Sequence, residues 1–435
     1  MIRSKKILLF ISAIIAFQFI VAQTKLPLTL QLKPYKKDAL FHTNDEKVGY
    51  NFKLRNEVKD IQRGNYYFDV RNDSGRSVFN NHGGFSINEY GKFETDITLN
   101  KAQLNSGCYE VKIYIQTNYY KDTLNHFFCY NPEEVAFTDS TKPTDFFQFW
   151  EEAKRELVNT NPLFKITKVD SLGDRFSNVY LVQFQSTENN IIKGWLSVPK
   201  EYGKFPAIYN LYDFNQTAYP DKQRERVTFS IDVRGLGMST NIMKLNPQDY
   251  FVLNADYKRR FILRGVFMDC LRGLDFLFRS NDSLKVNTKK IAVLGIGQAA
   301  PMAVATAAFD SRVIGLSLER PIGIDMPNLL QNPEQNSSTL VANIKNYLSN
   351  SYNKNNLFQF LQTWSYFDPI AFASLIKCKF LMGLTLRNNC PPKCVYHFIN
   401  KLSIGRRDIY VCPQCNNEMN SAFIELQKLW LHEIF

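Results

Sequence analysis

From residue 24 to about 135, apolar positions recur at every second residue. Tyr66, Phe68 and Val70 alternate with Tyr67, Asp69 and Arg71. Tyr109, Val111, Ile113 and Ile115 alternate with Glu110, Lys112, Tyr114 and Gln116. Leu124, His126, Phe128 and Tyr130 alternate with Thr123, Asn125, Phe127 and Cys129. A period of two marks a strand with one face buried. Turn-forming clusters at Asn72-Asp73-Ser74-Gly75 and Asn81-His82-Gly83-Gly84 are expected to separate strands. Six or so short strands in this span predict a small all-β sandwich, immunoglobulin-like, over residues 23–135. His126 falls on the apolar face and reads as a core histidine. Pairing strands 108–116 and 123–130 with Ile113 facing Leu124 sets Cys108 opposite Cys129. Opposed residues lie about 4.5–5.5 Å apart at Cα, within disulfide reach, so a bridge is expected there.

Asn131-Pro132 through Lys142-Pro143 reads as a linker, and after it the period changes. Apolar strands are expected at 179–185, 191–198, 206–211, 227–232, 291–294, 313–318, 380–384 and 409–411. Helical stretches are expected at about 256–279, 298–309, 392–402 and 418–431. Strands alternating with helices predict an α/β domain over 136–435, a mostly parallel sheet covered on both faces. In such sheets ligands sit beyond the carboxyl ends of the strands.

The first residues follow neither pattern. Arg3, Lys5 and Lys6 precede an apolar run from Ile7 to Ala22, and the run stops at Gln23-Thr24-Lys25. A basic start, a short apolar core and a small residue at the end describe a secretory signal peptide over 1–22. The run is shorter than the ~20 residues a bilayer span needs. The expected location is secreted or periplasmic, with no membrane association after signal removal and with cysteines in an oxidising compartment. The whole chain of 435 residues carries a formal net charge of +12. It has no block of five or six basic residues of the kind that marks nucleic-acid tails, so nucleic-acid binding is not expected. Only five histidines are present, His42, His82, His126, His397 and His432, which limits the general bases available.

Strand 291–294 runs into Gly295-Ile296-Gly297-Gln298-Ala299 and then a helix. That is the strand–turn–helix setting of the nucleophile elbow Gly-x-Ser-x-Gly, with glycine at the serine position. Around it stand, in order, Asp145-Phe146-Phe147-Gln148-Phe149-Trp150-Glu151, Ile192-Lys193-Gly194-Trp195-Leu196, Asp232-Val233-Arg234-Gly235, Gly265-Val266-Phe267-Met268-Asp269-Cys270-Leu271-Arg272, Cys390-Pro391-Pro392 and Asn400. Over roughly residues 140–435 the chain resembles the acetylxylan esterase / cephalosporin-C deacetylase family of α/β-hydrolases. The resemblance implies an α/β-hydrolase fold and places the triad positions: Gly297 for the nucleophile, Arg387 for the acid three residues before Cys390, and Asn417 for the base. It places the family's His-Gly-Tyr oxyanion loop at Tyr212-Asp213-Phe214 and its oxyanion donors at the backbone amides of Phe214 and Gln298. It also sets Arg234-Gly235-Leu236 against the family's Arg-Gly-Gln. Arg234 and Asp269 read first as a structural ion pair.

Acyl transfer by this machinery needs an Oγ nucleophile, an imidazole to take its proton and a carboxylate to hold the imidazole. Gly297, Asn417 and Arg387 supply none of the three, and removing triad members lowers the rate roughly 10⁴- to 10⁶-fold. The expected function is that of an exported pseudoenzyme that binds acetylated or plain polysaccharide. An active ester hydrolase with a non-standard nucleophile and a structural, partner-binding protein are the alternatives. No cofactor and no metal are expected, and homo-oligomerisation is left open.

Cys390, Cys394, Cys412 and Cys415 are spaced C-x3-C-x17-C-x2-C, which in a reducing compartment would read as zinc. In an exported chain a disulfide is the better reading. The resemblance puts the two pairs on the loops of the former acid and base, which implies a bridge from Cys394 to Cys412 or Cys415. Cys270 and Cys378 read as core thiols.

Overall fold

The computed structural model describes residues 26–435, apart from 136, 138–141, 280–283, 332–338, 351–356, 388–389 and 416–418. The proposed signal segment and Asn417 therefore lie outside the described residues.

The alternating segment forms eight strands: β1 (Leu28–Pro34), β2 (Leu40–Phe41), β3 (Gly49–Asn56), β4 (Gln62–Asn72), β5 (Ser77–Ile87), β6 (Lys92–Thr98), β7 (Gly107–Thr117) and β8 (Lys121–Tyr130). They make a three-stranded sheet β1-β3-β6 and a five-stranded sheet β2-β8-β7-β4-β5. Tyr50, Phe52, Phe68, Val111, Ile113 and Phe128 are buried in the sandwich core. They come from the apolar phase of each strand, as a two-residue repeat with one solvated face requires. Ile113 pairs with Leu124 and Cys108 with Cys129, and those cysteines form a disulfide with Cα atoms 4.0 Å apart. One expected turn is a strand: Asn81 to Gly84 lie inside β5, paired with Phe68 to Asn65 of β4. The cross-strand ladder overrides the turn preference of those residues.

After the linker come strands β9 (Lys165–Lys168), β10 (Ser177–Gln185), β11 (Ile191–Pro199), β12 (Phe205–Leu211), β13 (Val227–Asp232), β14 (Val286–Ile296), β15 (Gly315–Glu319), β16 (Lys379–Thr385) and β17 (Arg407–Cys412). The helices are α1 (Phe146–Asn159), α2 (Ile262–Arg279), α3 (Ala300–Phe309), α4 (Met326–Leu329), α5 (Thr339–Ser349), α6 (Leu357–Trp364), α7 (Pro369–Phe372), α8 (Pro392–Lys401) and α9 (Ser421–Ile434). The sheet order is β17-β16-β15-β14-β12-β13-β11-β10-β9, parallel from β13 to β17 and antiparallel from β13 through β9. Successive residues of a strand face opposite helix layers. Tyr209 meets α2, where its hydroxyl donates to the Cys270 carbonyl at 3.2 Å. Ile208, Ala292 and Leu381 face the other way and cluster with Phe423, Trp430 and Leu431 of α9. Strands buried on both faces lose the alternation and read as continuous apolar runs, as Phe380 to Leu384 of β16 do.

Two arginines of the family-like motifs outside the elbow tie elements of the fold together. Arg234 is buried; its Nε and Nη2 donate to the Asp269 carboxylate at 2.9 and 2.8 Å and its Nη1 to Glu188 at 2.5 Å. Arg272 of α2 donates to the Leu157 and Thr160 carbonyls, closing the carboxyl end of α1.

Two cysteine expectations are corrected. Cys412 bridges Cys415 three positions further on, not Cys394. Cys394 is a free, fully buried thiol beside Cys390; both pack in the main hydrophobic core, whereas Cys412 packs in the separate cluster with Phe423 and Trp430. Cys270 is the buried thiol expected, while Cys378 is only partly buried.

Candidate active site

Strand β12 pairs with β13 on one side and β14 on the other, so the chain reverses its order between β12 and β14. The crevice at the carboxyl ends of those two strands is the topological switch point, where open α/β sheets hold their ligands. Leu211 pairs with Gly295, so two residues further on Asp213 stands against Gly297. Gly297 has φ +57°, the left-handed conformation of a tight strand-to-helix elbow, and its carbonyl accepts from the Ile322 amide at 3.0 Å.

The centre of this site holds a carboxylate of the protein itself. A Cβ built on Gly297 would lie 2.1 Å from Asp213 Oδ2. The Asp213 side chain therefore occupies the volume where a side chain at the nucleophile position would begin. The Gln298 amide donates to the same oxygen at 3.1 Å, and the Asn215 amide donates to Oδ1 at 3.4 Å. The Phe214 amide, next in the chain, lies close to this carboxylate and, like the other two amides, favours its charged form. Of the two amides that the resemblance assigns to the oxyanion hole, Phe214 and Gln298, the Gln298 amide thus already has Asp213 as its acceptor. Burial pushes the Asp213 carboxyl above its ordinary range, while the three amides and the Arg320 charge pull the other way.

Of the other two positions that the resemblance implies, only Arg387 lies among the described residues. Arg387 follows β16 at the sheet's carboxyl edge and is exposed. It lies near His126 of the sandwich, whose Nδ1 meets Gln414 Nε2 at 3.2 Å in the loop after β17. His126 is a core histidine as expected, and it also sits on the seam between sandwich and sheet. Burial, with the Arg387 charge beside it, pushes the pKa of His126 down to about 4, so it is neutral near pH 7. Other contacts tie the same seam: Lys393 Nζ to Asp73 at 3.0 Å, Asn400 Nδ2 to the Glu133 carbonyl at 3.0 Å, and Phe137 stacked on His397 at 4.2 Å.

Sequence reasoning missed a buried polar cluster beneath the site. His397 Nδ1 lies 2.7 Å from Asp325 Oδ2, both side chains being buried, and Asn328 Nδ2 donates to both oxygens of Asp325. Asp368 accepts from the amides of Asp325 and Met326; burial raises its pKa, and the neighbouring Asp325 charge adds to the rise. His397 at i+3 from Cys394 on α8 was the available signal. Its partner, 72 residues away, had none. Among the described residues none of the five histidines hydrogen-bonds Asp213, and none forms a cluster of three or more metal-ligating side chains.

A mixed sheet of this order, with an elbow at its switch point and helices on both faces, defines an α/β-hydrolase. Two solved structures share the fold: an acetyl xylan esterase from Paenibacillus sp. R4, with a TM-score of 0.63 and 23% identity, and acetyl xylan esterase 1 from Thermoanaerobacterium sp. JW/SL YS485, with 0.61 and 20%. Each match takes in 70% of this chain and 98% of the other. Residues 133–433 match the acetyl xylan esterase family, and the chain belongs to it. A relative from Xylanibacter ruminicola, the acetyl esterase Axe7A, is 24% identical over 307 residues; the match spans 66% of each chain.

Proposed function

We propose that this protein is an exported member of the acetyl xylan esterase family that binds acetylated or plain polysaccharide without hydrolysing acetyl esters. One observation carries the reading: the Asp213 carboxylate lies where a side chain at position 297 would begin and itself accepts from the Gln298 amide, one of the two expected oxyanion donors. An oxyanion hole acts only when its donors face the charge that develops on the substrate. Here the Asp213 side chain already occupies the Gln298 donor, so a substrate carbonyl meets a carboxyl group of the protein and not a free pair of donors. The polysaccharide assignment is carried over from the family and its relatives, and export from the basic, then apolar, first 22 residues. The test is acetate release from acetylated xylan by the purified protein. Background release is expected, and sustained release would defeat the reading.

The position of Asp213 favours one alternative, a carboxylate nucleophile. Attack by Oδ2 on the acyl carbon would form a mixed anhydride and expel the sugar oxygen as an alkoxide that needs a proton. Among the described residues no histidine reaches Asp213 to supply it. An acetyl adduct on the peptide carrying Asp213, found by mass spectrometry after incubation with an activated acetate, would establish this alternative.

A further inference from the structure

The outer face of the five-stranded sandwich sheet carries two tyrosines that the fold leaves open. Tyr67 of β4 is 40% exposed, Tyr114 of β7 is 38% exposed, and the two are directly opposed with ring centroids 6.0 Å apart. Cross-strand aromatic pairs stabilise sheets on their own, so the pair alone is not a site. Three further observations give it a direction. First, exposed hydrogen-bonding side chains surround the rings: His82 is opposite Tyr67, and Asn65 and Gln116 form the next row. Among the described residues none of these three side chains makes a hydrogen bond within the protein. Second, Gly84 stands opposite Asn65, in mid-strand, where glycine weakens a strand. A Cβ there would meet only Asn65 Oδ1 at 3.4 Å and the Gly64 carbonyl at 3.7 Å, which is ordinary contact. Neither packing nor a positive φ requires glycine at this point. Its effect is a low floor beside the rings, the kind of place where a ligand can approach the backbone closely. Third, the carboxylates of this face, Asp69 and Glu110, are paired with Arg71 and Lys112, so the row through the tyrosines carries no uncompensated negative charge.

We propose that this face, centred on Tyr67 and Tyr114 with Gly84 as its floor, binds a neutral polysaccharide. The apolar faces of the sugar rings stack on the tyrosines, and the sugar hydroxyls bond to Asn65, Gln116 and His82. Tyrosine offers a flat apolar surface that loses little conformational freedom on contact, and the amides supply both donors and acceptors. The inference rests on the reading that the protein binds polysaccharide, and it moves the binding surface away from the occupied hydrolase centre.

The experiment is calorimetric titration of the full protein with xylohexaose and with cellohexaose. At least one is expected to bind, and Tyr67→Ala with Tyr114→Ala is expected to weaken that binding tenfold or more. Gly84→Val, which raises the floor without a clash, is expected to weaken it severalfold with the thermal midpoint unchanged or raised; it carries the test should the double variant fold poorly. Absence of binding to both oligosaccharides would overturn the proposal, as would unchanged affinity in a folded variant that lacks the rings or the floor. Acetate release from acetylated xylan is a separate readout, so failure here leaves the non-hydrolytic reading standing.

Discussion

At the residue scale, two positions that touch determine the chemistry. The family pattern has a serine at one and a glycine at the other; here these are Gly297 and Asp213. A serine restored at 297 alone would start from φ +57°, where an L-residue is strained by about 1–2 kcal/mol, and its Cβ would overlap Asp213 Oδ2. Gly297→Ser should therefore lower stability by about 2 kcal/mol or more in chemical denaturation, without gain of esterase activity. Adding Asp213→Gly should recover part of that loss by clearing the overlap. A single serine variant as stable as the parent would show that Asp213 does not fill this space. Both substituted residues stood in the sequence, but their contact did not, because it depends on the register of β12 against β14. The elbow was recognisable from its glycine and its strand–helix setting. The role of Asp213 was not, since a carboxylate one position before an expected oxyanion donor has no local signature.

At the element scale, the legible parts were those with a strong period. Strands β7 and β8 and their register followed from alternation, and with them the Cys108–Cys129 bridge. Removing it as Cys108→Ala with Cys129→Ala should cost about 3 kcal/mol, the loop-closure value for a bridge of this separation, read from the denaturation midpoint. No change would mean that the bridge does not form in solution. Helices α4 to α7 were not foreseen; they are short or flanked by Pro and Asn, and they form because Trp364, Phe367 and Phe372 pack onto Trp150 and Phe251. Arg387 and Gln414, far apart in sequence from His126, meet it only because the sandwich docks on the loops after β16 and β17. That seam has a pH signature. His126 stays neutral in the fold down to about pH 4, whereas in the unfolded chain it protonates near 6.5. Its contribution is complete above pH 6.5 and is lost as the pH falls from 6.5 towards 4, a change of up to about 3 kcal/mol. His126→Gln should flatten the stability curve in that window relative to the parent. Equal slopes would show that His126 titrates normally in the fold.

At the scale of the whole molecule, a β-sandwich is docked against the carboxyl edge of an α/β-hydrolase sheet, the edge on which the family pattern sets its acid and base. The class of the protein was readable from motif order, because the spacing of Asp145–Glu151, the elbow and Cys390-Pro391-Pro392 survives although the reactive letters do not. What motif order could not convey is that the Asp213 side chain fills the space beside Gly297 from within the chain. The central claim is that this filled centre does not transfer acyl groups. The most direct test is the steady-state hydrolysis of p-nitrophenyl acetate by the purified protein and by its Asp213→Ala variant, measured side by side. The account predicts that both run at the same rate, close to the buffer background. Turnover by the parent that disappears in the Asp213→Ala variant would contradict it.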